Sequence, residues 1–201
     1  MLNLVVFGDS ISCGANASAE SAAEPNTPSW PNMFKDALTQ MGATVKFDNP
    51  SAGGEASPYA AKPENLARII RQKPDLVVLG WGMNDGGIWH GTSPAAYKAN
   101  IKSAMDQIRK SNPDCEFILV GTTWPNEEAR DFYNLGAFQK YTDQLYELEK
   151  EYDGVAVASM TEIHKYILSR KNFRDVTGNN VNHPNDFISR LYLQVLLQTI
   201  A

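Results

Sequence analysis

Five short runs rich in apolar and β-branched residues alternate with longer segments of helical periodicity, and this alternation limits the folds open to the chain. Such a pattern is typical of βαβ units, in which helices cover both faces of a parallel sheet. The runs are continuously apolar, as expected for strands buried on both faces. They predict strands at residues 2–7, 45–48, 75–81, 116–122 and 155–159.

Helical patterns lie between these strands and after the last one. They predict helices at residues 30–40, 63–71, 94–110, 127–152, 161–169 and 184–200. The last has Pro184 in its first turn, where the missing N–H costs nothing, with Asn182 or His183 near the cap. With right-handed crossovers, these elements predict an α/β fold, a three-layer α/β/α sandwich around a five-stranded parallel sheet in a flavodoxin-like order. We see no repeat or linker and predict one domain over residues 1–201.

Charge and hydropathy argue against two classes of partner. The net charge of −5 and the absence of a Lys/Arg cluster argue against nucleic acid. No apolar run approaches the roughly 20 residues that span a bilayer, so we expect no membrane insertion. The N-terminus is too short for a signal peptide. We therefore expect a cytoplasmic protein, or a secreted one from which a leader was removed. Cys13 and Cys115 are expected to be two free or partly buried thiols.

Two loops after the first strands carry candidate catalytic groups, because open α/β sheets bind ligands at the carboxyl ends of their strands. Gly8-Asp9-Ser10 follows the first strand and can present a serine hydroxyl at the sheet edge, although Ser and Asp also make ordinary helix caps. Gly53-Gly54 follows the second strand. A glycine there allows a backbone N–H to point at an oxyanion, or it simply makes a turn.

Two further segments offer a donor and a base. Asn84, after the third strand, has a side-chain amide of the kind used in oxyanion holes, or it forms an Asx turn. His183 stands just before Pro184, where it is held rigidly as a general base or serves as a surface or capping histidine. All four segments together are far less expected by chance than any one of them.

In this combination the chain resembles the SGNH (GDSL-like) hydrolases. The four sequence blocks of that family correspond, in order, to Gly8-Asp9-Ser10, Asn49 with Gly54, Gly82-Met83-Asn84-Asp85 and His183-Pro184-Asn185. The resemblance covers essentially the whole chain. It implies a serine esterase with Ser10 as nucleophile and His183 as general base. It also implies an oxyanion hole made by the Ser10 and Gly54 N–H groups and the Asn84 side chain, with no metal or cofactor.

Two positions depart from the family pattern. Ser51 stands where the second block usually has glycine, which is tolerable because Gly54 is retained. Asn180 stands where an aspartate usually precedes the histidine by three residues, and that aspartate would orient the imidazole and stabilise the imidazolium. Three explanations stay open. Asn180 accepts a hydrogen bond from His183 as a weaker catalytic residue; a backbone carbonyl or a carboxylate such as Asp175 or Asp186 replaces it; or the enzyme is damaged or carries an engineered Asp→Asn change.

The substrate is less constrained by the sequence. Trp81, Trp89 and Trp124 lie at or just after strand ends, and either stack on a sugar ring or pack beneath the loops; Trp81 and Trp124 are the substrate-binding candidates. The chain shows no long apolar lid, which favours a short acyl group such as acetyl, with an acetylated carbohydrate as the leading substrate. His90 and His164 are too badly spaced for a metal site and are interpreted as surface residues.

Two other function classes were considered. The first is a catalytically impaired SGNH-fold protein that binds sugar or ester ligands, an interpretation supported only by Asn180. The second is a flavodoxin-like nucleotide binder, which requires a phosphate-cradling Gly-rich loop after the first strand. Asp9 places a carboxylate in that loop and argues against it.

Overall fold

The fold is a single parallel sheet between two layers of helices. The computed structural model describes residues 1–200, and within them five strands are arranged in the order β2-β1-β3-β4-β5. The strands are β1 (Leu2–Gly8), β2 (Val45–Asp48), β3 (Leu76–Gly80), β4 (Glu116–Gly121) and β5 (Val155–Ser159). The predicted flavodoxin-like order is confirmed, and each strand lies within one residue of its predicted bounds.

Alternate residues of each strand face opposite helical layers, because successive side chains of a strand point to opposite faces. Val5 and Phe7 belong to the apolar layer under α2 to α5, whereas Leu4 and Val6 pack toward α1, α6 and α7. The helices are α1 (Trp30–Gln40), α2 (Ser57–Ala61), α3 (Pro63–Gln72), α4 (Pro94–Arg109), α5 (Phe138–Glu151), α6 (Met160–Leu168) and α7 (Asp186–Gln198). The three-layer sandwich is therefore present as predicted. No helix within residues 1–200 has the length and apolarity needed to cross a membrane.

The prediction of one long helix over residues 127–152 is wrong. Only α5 is α-helical there, and two 3₁₀ turns, Glu127–Ala129 and Leu135–Ala137, precede it. Between these turns Tyr133 forms an antiparallel bridge with Gly87, in the loop after β3. This pairing requires extended backbone and so overrides the local helical pattern.

The last helix begins later than predicted. Pro184 pairs with Thr177 in an antiparallel bridge, and the helix begins at Asp186. Asn185 is its N-cap, because its side-chain oxygen accepts the Ile188 N–H at 3.2 Å. Neither Asn182 nor His183 is the cap, so the histidine lies on a loop. The short helix α2 was not predicted.

Candidate active site

Ser10 lies on a tight turn after β1, at the carboxyl edge of the sheet. We call residues 8–16 the nucleophile turn. Gly8 allows this turn to approach β3, because a Cβ at Gly8 would stand 2.1 Å from the Gly80 carbonyl oxygen. Ser12 stabilises the same contact, because its hydroxyl donates to the Gly80 carbonyl oxygen at 3.1 Å. The Ser10 side chain is left half-buried at the surface.

Asp9 points inward from the same turn. Its side chain is 1% exposed, and burial raises the pKa of this carboxyl to about 7 although it accepts the Ile11 N–H at 3.0 Å. Backbone groups of Ser12 and Met83 also lower that pKa, and the charge of Asp85 raises it. The Asp9 N–H donates to the Gly80 carbonyl at 3.1 Å, which joins the nucleophile turn to the end of β3.

His183 is placed against Ser10 across nearly the whole length of the sequence. Its Nε2 lies 2.9 Å from the Ser10 Oγ, although 173 positions separate the two residues. Two hydrogen bonds within its loop hold the His183 backbone: the His183 N–H donates to Asn179 Oδ1, and the His183 carbonyl accepts the Gly178 N–H. Burial lowers the pKa of the His183 imidazole, which favours the neutral ring that accepts a proton.

The other ring nitrogen of His183 contacts a residue that the sequence analysis did not single out. His183 Nδ1 lies 2.6 Å from Asn16 Oδ1, at the end of the nucleophile turn. Asn16 has a left-handed backbone (φ 66°), a conformation in which Asn is found more often than most residues. No motif marked it, because the contact spans 167 positions.

Of the three explanations left open for Asn180, a hydrogen bond from His183 to its side chain is not found within residues 1–200. Asn126 donates its side-chain amide to the Asn180 carbonyl at 2.9 Å and approaches Asn180 Oδ1 at 3.4 Å. The two carboxylates considered as replacements are also engaged elsewhere or turned outward. Asp186 accepts the Ser18 N–H at 2.8 Å, and Asp175 is exposed at the end of a 3₁₀ turn.

The three expected oxyanion donors lie on loops that bond to one another. Asn84 donates its side-chain amide to the Glu55 carbonyl at 2.8 Å, which leaves one N–H of the same amide for a ligand. Gly54, next to Glu55, has φ +79°, and a Cβ there would meet nothing within 4 Å. Glycine is therefore required at that position by backbone conformation and not by space. Within residues 1–200 the Ser10 and Gly54 N–H groups donate to no protein acceptor.

Asn49 and Ser51, in the loop after β2, form hydrogen bonds with the backbone of the nucleophile turn. Asn49 donates its side-chain amide to the Ser12 carbonyl at 2.8 Å. The Ser51 hydroxyl accepts the Gly8 N–H at 2.9 Å. The serine in place of the family's glycine is thus accommodated, and it adds a hydrogen bond to the turn.

Within residues 1–200, the two tryptophans expected to bind substrate make no hydrogen bond or ring contact with Ser10 or His183. Trp81 is 0% exposed and packs edge-on against Phe7, so it offers no surface to a ligand, and its assignment as a substrate contact is corrected. Trp124 is half-buried, donates Nε1 to the Thr161 carbonyl and lines a cavity of about 550 Å³ beside α6. Within residues 1–200, neither Ser10 nor His183 lines that cavity.

Trp89 is the tryptophan at the rim of the site. It is 53% exposed and packs edge-on against Tyr133, whose hydroxyl accepts a hydrogen bond from Asn182, next to His183. On its other side, His90 donates Nε2 to the Gly54 carbonyl at 3.2 Å. Trp89 is therefore held between the loops of the base and of the oxyanion glycine.

His164 is not the surface residue that was predicted. It is 2% exposed and accepts the Trp124 N–H on Nδ1 at 3.0 Å, and burial lowers its pKa to about 4. His90 is exposed, as expected. Cys13 is exposed and Cys115 is buried, and both are free thiols as predicted.

A three-layer α/β/α sandwich with a serine hydroxyl and an imidazole in contact at the carboxyl edge of its sheet is typical of hydrolases that use a serine nucleophile. The chain belongs to the GDSL-like Lipase/Acylhydrolase family, whose model matches residues 6–191. This confirms the resemblance drawn from the four sequence blocks.

The relatives agree with that class. An arylesterase of Vibrio mimicus is 27% identical over 146 residues, which cover 72% of this chain but only 62% of that protein. A carbohydrate esterase family 3 structure from Talaromyces cellulolyticus has a TM-score of 0.76 at 16% identity and covers 100% of this chain and 96% of its own. A lipase/acylhydrolase from Enterococcus faecalis has a TM-score of 0.74 at 18% identity and covers 100% and 95%. At such identities the two structures show the shared fold alone.

Proposed function

We propose that this protein is a serine esterase that hydrolyses short-chain carboxylic esters through an acyl-enzyme on Ser10. The observation that carries this proposal is the 2.9 Å contact between Ser10 Oγ and His183 Nε2. A neutral imidazole at that distance removes the hydroxyl proton as the oxygen attacks the ester carbonyl. The same contact on a buried or inaccessible serine would carry no such chemistry, but Ser10 is half-exposed.

The reaction has two steps that share one base. In the first, Ser10 Oγ bonds to the carbonyl carbon, and the C–O bond to the alcohol breaks as His183 returns the proton to the leaving oxygen. In the second, His183 takes a proton from water as the water oxygen attacks the acyl carbon. The bond between that carbon and Ser10 Oγ then breaks, the carboxylic acid leaves, and His183 returns the proton to Ser10 Oγ. In both, the negative oxygen is held by the N–H groups of Ser10 and Gly54 and by the Asn84 amide.

An acetyl ester on a carbohydrate is the proposed substrate. One fold neighbour is described as a carbohydrate esterase, and another as an acetyl esterase mutant with an acetate ion. In this chain, the exposed ring of Trp89 offers an apolar face beside the site on which the ring of the alcohol part stacks.

Hydrolysis of p-nitrophenyl acetate, butyrate and octanoate by the wild type and by Ser10→Ala tests the proposal. We expect turnover of the acetate by the wild type, loss of it in Ser10→Ala, and slower reaction as the acyl chain lengthens. Release of acetate from an acetylated oligosaccharide then tests the carbohydrate part. A folded wild type no more active than Ser10→Ala on all of these esters would overturn the esterase proposal.

A further inference from the structure

We propose that Asn16 is the positioning residue of His183 and takes the role of the missing aspartate. The third member of the catalytic group then comes from the nucleophile turn itself and not from the segment three residues before the histidine. This inference rests on the proposed function, because it assigns a role within the same site.

The two contacts of the imidazole are complementary. An amide oxygen can only accept a hydrogen bond, so Asn16 Oδ1, 2.6 Å away, keeps a proton on His183 Nδ1. Nδ1–H leaves a lone pair on Nε2, the nitrogen that lies 2.9 Å from Ser10 Oγ. The hydrogen bond at one ring nitrogen thus selects the tautomer needed at the other.

The turn that carries Asn16 is tied directly to the nucleophile. The Ala15 N–H donates to the Ser10 carbonyl at 3.0 Å. Gly14, with φ +88°, lies so close to the start of α1 that a Cβ would stand 2.4 Å from Ser29 Cβ. Ser10 and Asn16 therefore belong to one hydrogen-bonded turn, and the distance between nucleophile and positioning group is set within seven residues.

The loop that carries His183 packs closely against Asn16. A Cβ at Gly178 would lie 2.5 Å from the Asn16 Cβ, so only glycine leaves room for this contact. The N–H of Gly178 also donates to the His183 carbonyl at 2.9 Å. Gly178 thus hydrogen-bonds to the backbone of His183 and leaves room for Asn16, which bonds the His183 ring.

A neutral amide orients the base but does not add a negative charge. In serine proteases, asparagine in place of the triad aspartate lowers turnover about 10⁴-fold because it holds the wrong tautomer. Here the oxygen faces the ring nitrogen, so that penalty does not arise. The sole support for the catalytically impaired interpretation, an uncharged residue at position 180, is thereby weakened.

The test compares Asn16→Gly and Asn16→Asp with Asn180→Gly and Asn180→Asp as matched controls, since Asn180 also has a left-handed backbone (φ 58°). Glycine keeps the left-handed backbone at position 16 while removing the side chain. We expect Asn16→Gly to lower kcat on the order of 10-fold to 100-fold with KM nearly unchanged, below the 10²–10⁴ of a general base itself. Asn180→Gly leaves kcat close to that of the wild type.

The pH profile of kcat/KM separates positioning from a structural effect. A carboxylate introduced by Asn16→Asp favours the protonated imidazole and raises its pKa, so the acid limb moves to higher pH by on the order of one unit. Asn180→Asp leaves the limb in place. A shift produced by Asn180→Asp and absent from Asn16→Asp would overturn the inference.

A readout independent of activity distinguishes failure of this inference from failure of the proposed function. In ¹⁵N-histidine NMR spectra we expect the neutral His183 ring to carry its proton on Nδ1 in the wild type and in Asn180→Gly. In Asn16→Gly that preference weakens. A ring protonated on Nε2 in the active wild type contradicts the role of Asn16, whereas an inert wild type with Nδ1 protonated contradicts only the esterase proposal.

Discussion

The side-chain amide of Asn84 donates to the main-chain carbonyl of Glu55 across 2.8 Å, and this bond joins the loop after β3 to the loop that carries Gly54. Asp85, the next residue, accepts the backbone N–H of Ser57 at the start of α2. Two of the three proposed oxyanion donors therefore lie on loops that are bonded to each other. Such preorganised donors need no rearrangement when charge develops on the substrate.

Asn84→Ala removes one of these donors. Because removal of a single oxyanion donor costs about 10²–10³ in kcat, we expect a loss of that size with little change in KM. Steady-state kinetics on p-nitrophenyl acetate measures it, and thermal unfolding shows whether the lost bond to Glu55 has also destabilised the protein. A folded variant with unchanged kcat would remove Asn84 from the oxyanion hole.

Gly54→Ala tests whether the backbone at this position serves catalysis. Gly42 is a matched control, since its φ is +101° and a Cβ there also meets nothing within 4 Å. Alanine at either position costs roughly 1–2 kcal/mol of stability, because L-residues avoid left-handed backbone. We expect both variants to lose similar stability in denaturant unfolding, whereas only Gly54→Ala lowers kcat. Equal activity of the two variants contradicts the assignment of Gly54.

The buried Asp9 makes stability depend on pH. Its folded pKa of about 7 lies above 3.8, the ordinary pKa of an aspartate, so between these values the folded state holds a proton that the unfolded state has lost. The unfolding free energy therefore falls as pH rises through this window, by at most about 4 kcal/mol from this group.

Asp9→Asn removes that titration. We expect the unfolding free energy of the variant to depend less on pH between 4 and 7 than that of the wild type, in urea unfolding at several pH values. Asp36→Asn, at an exposed carboxyl on α1, is the control and keeps the wild-type slope. Identical slopes in the wild type and Asp9→Asn would show that Asp9 is ionised in the folded protein throughout this range.

Trp89→Ala tests the proposed contact with the alcohol part of the substrate. Loss of an aromatic stacking contact of about 0.5–1.5 kcal/mol raises KM for a sugar acetate by roughly 2-fold to 12-fold. The KM for ethyl acetate, which has no ring, stays nearly constant. Met41→Ala, a similarly exposed residue at the end of α1, leaves both constants unchanged. If Trp89→Ala behaves in the same way, the substrate ring binds elsewhere.

Much of the fold and part of the candidate site follow from local sequence. Continuous apolar runs located four of the five strands, because a strand covered on both faces has no polar side to interrupt the pattern. The exception is β2, an edge strand in which Lys46 and Asp48 alternate with apolar residues and no residue is fully buried. The residues expected at strand ends, Ser10, Gly54 and Asn84, lie at the carboxyl edge for the same topological reason. The helix predicted over residues 127–152 failed where Tyr133 pairs with Gly87, since a cross-loop bridge leaves no periodic signal.

By itself, the sequence determined the strand order, the four loops that face one edge of the sheet, and the pairing of Ser10 with His183 that the resemblance implied. Only the tertiary structure decided that Asn16, and not Asn180, reaches His183, and that Trp89, and not Trp81, borders the site. Periodicity reports how a residue relates to its neighbours along the chain. The hydrogen bond between Asn16 and His183 joins residues 167 positions apart. It depends on how two distant turns pack in the folded protein, which a local sequence pattern does not predict.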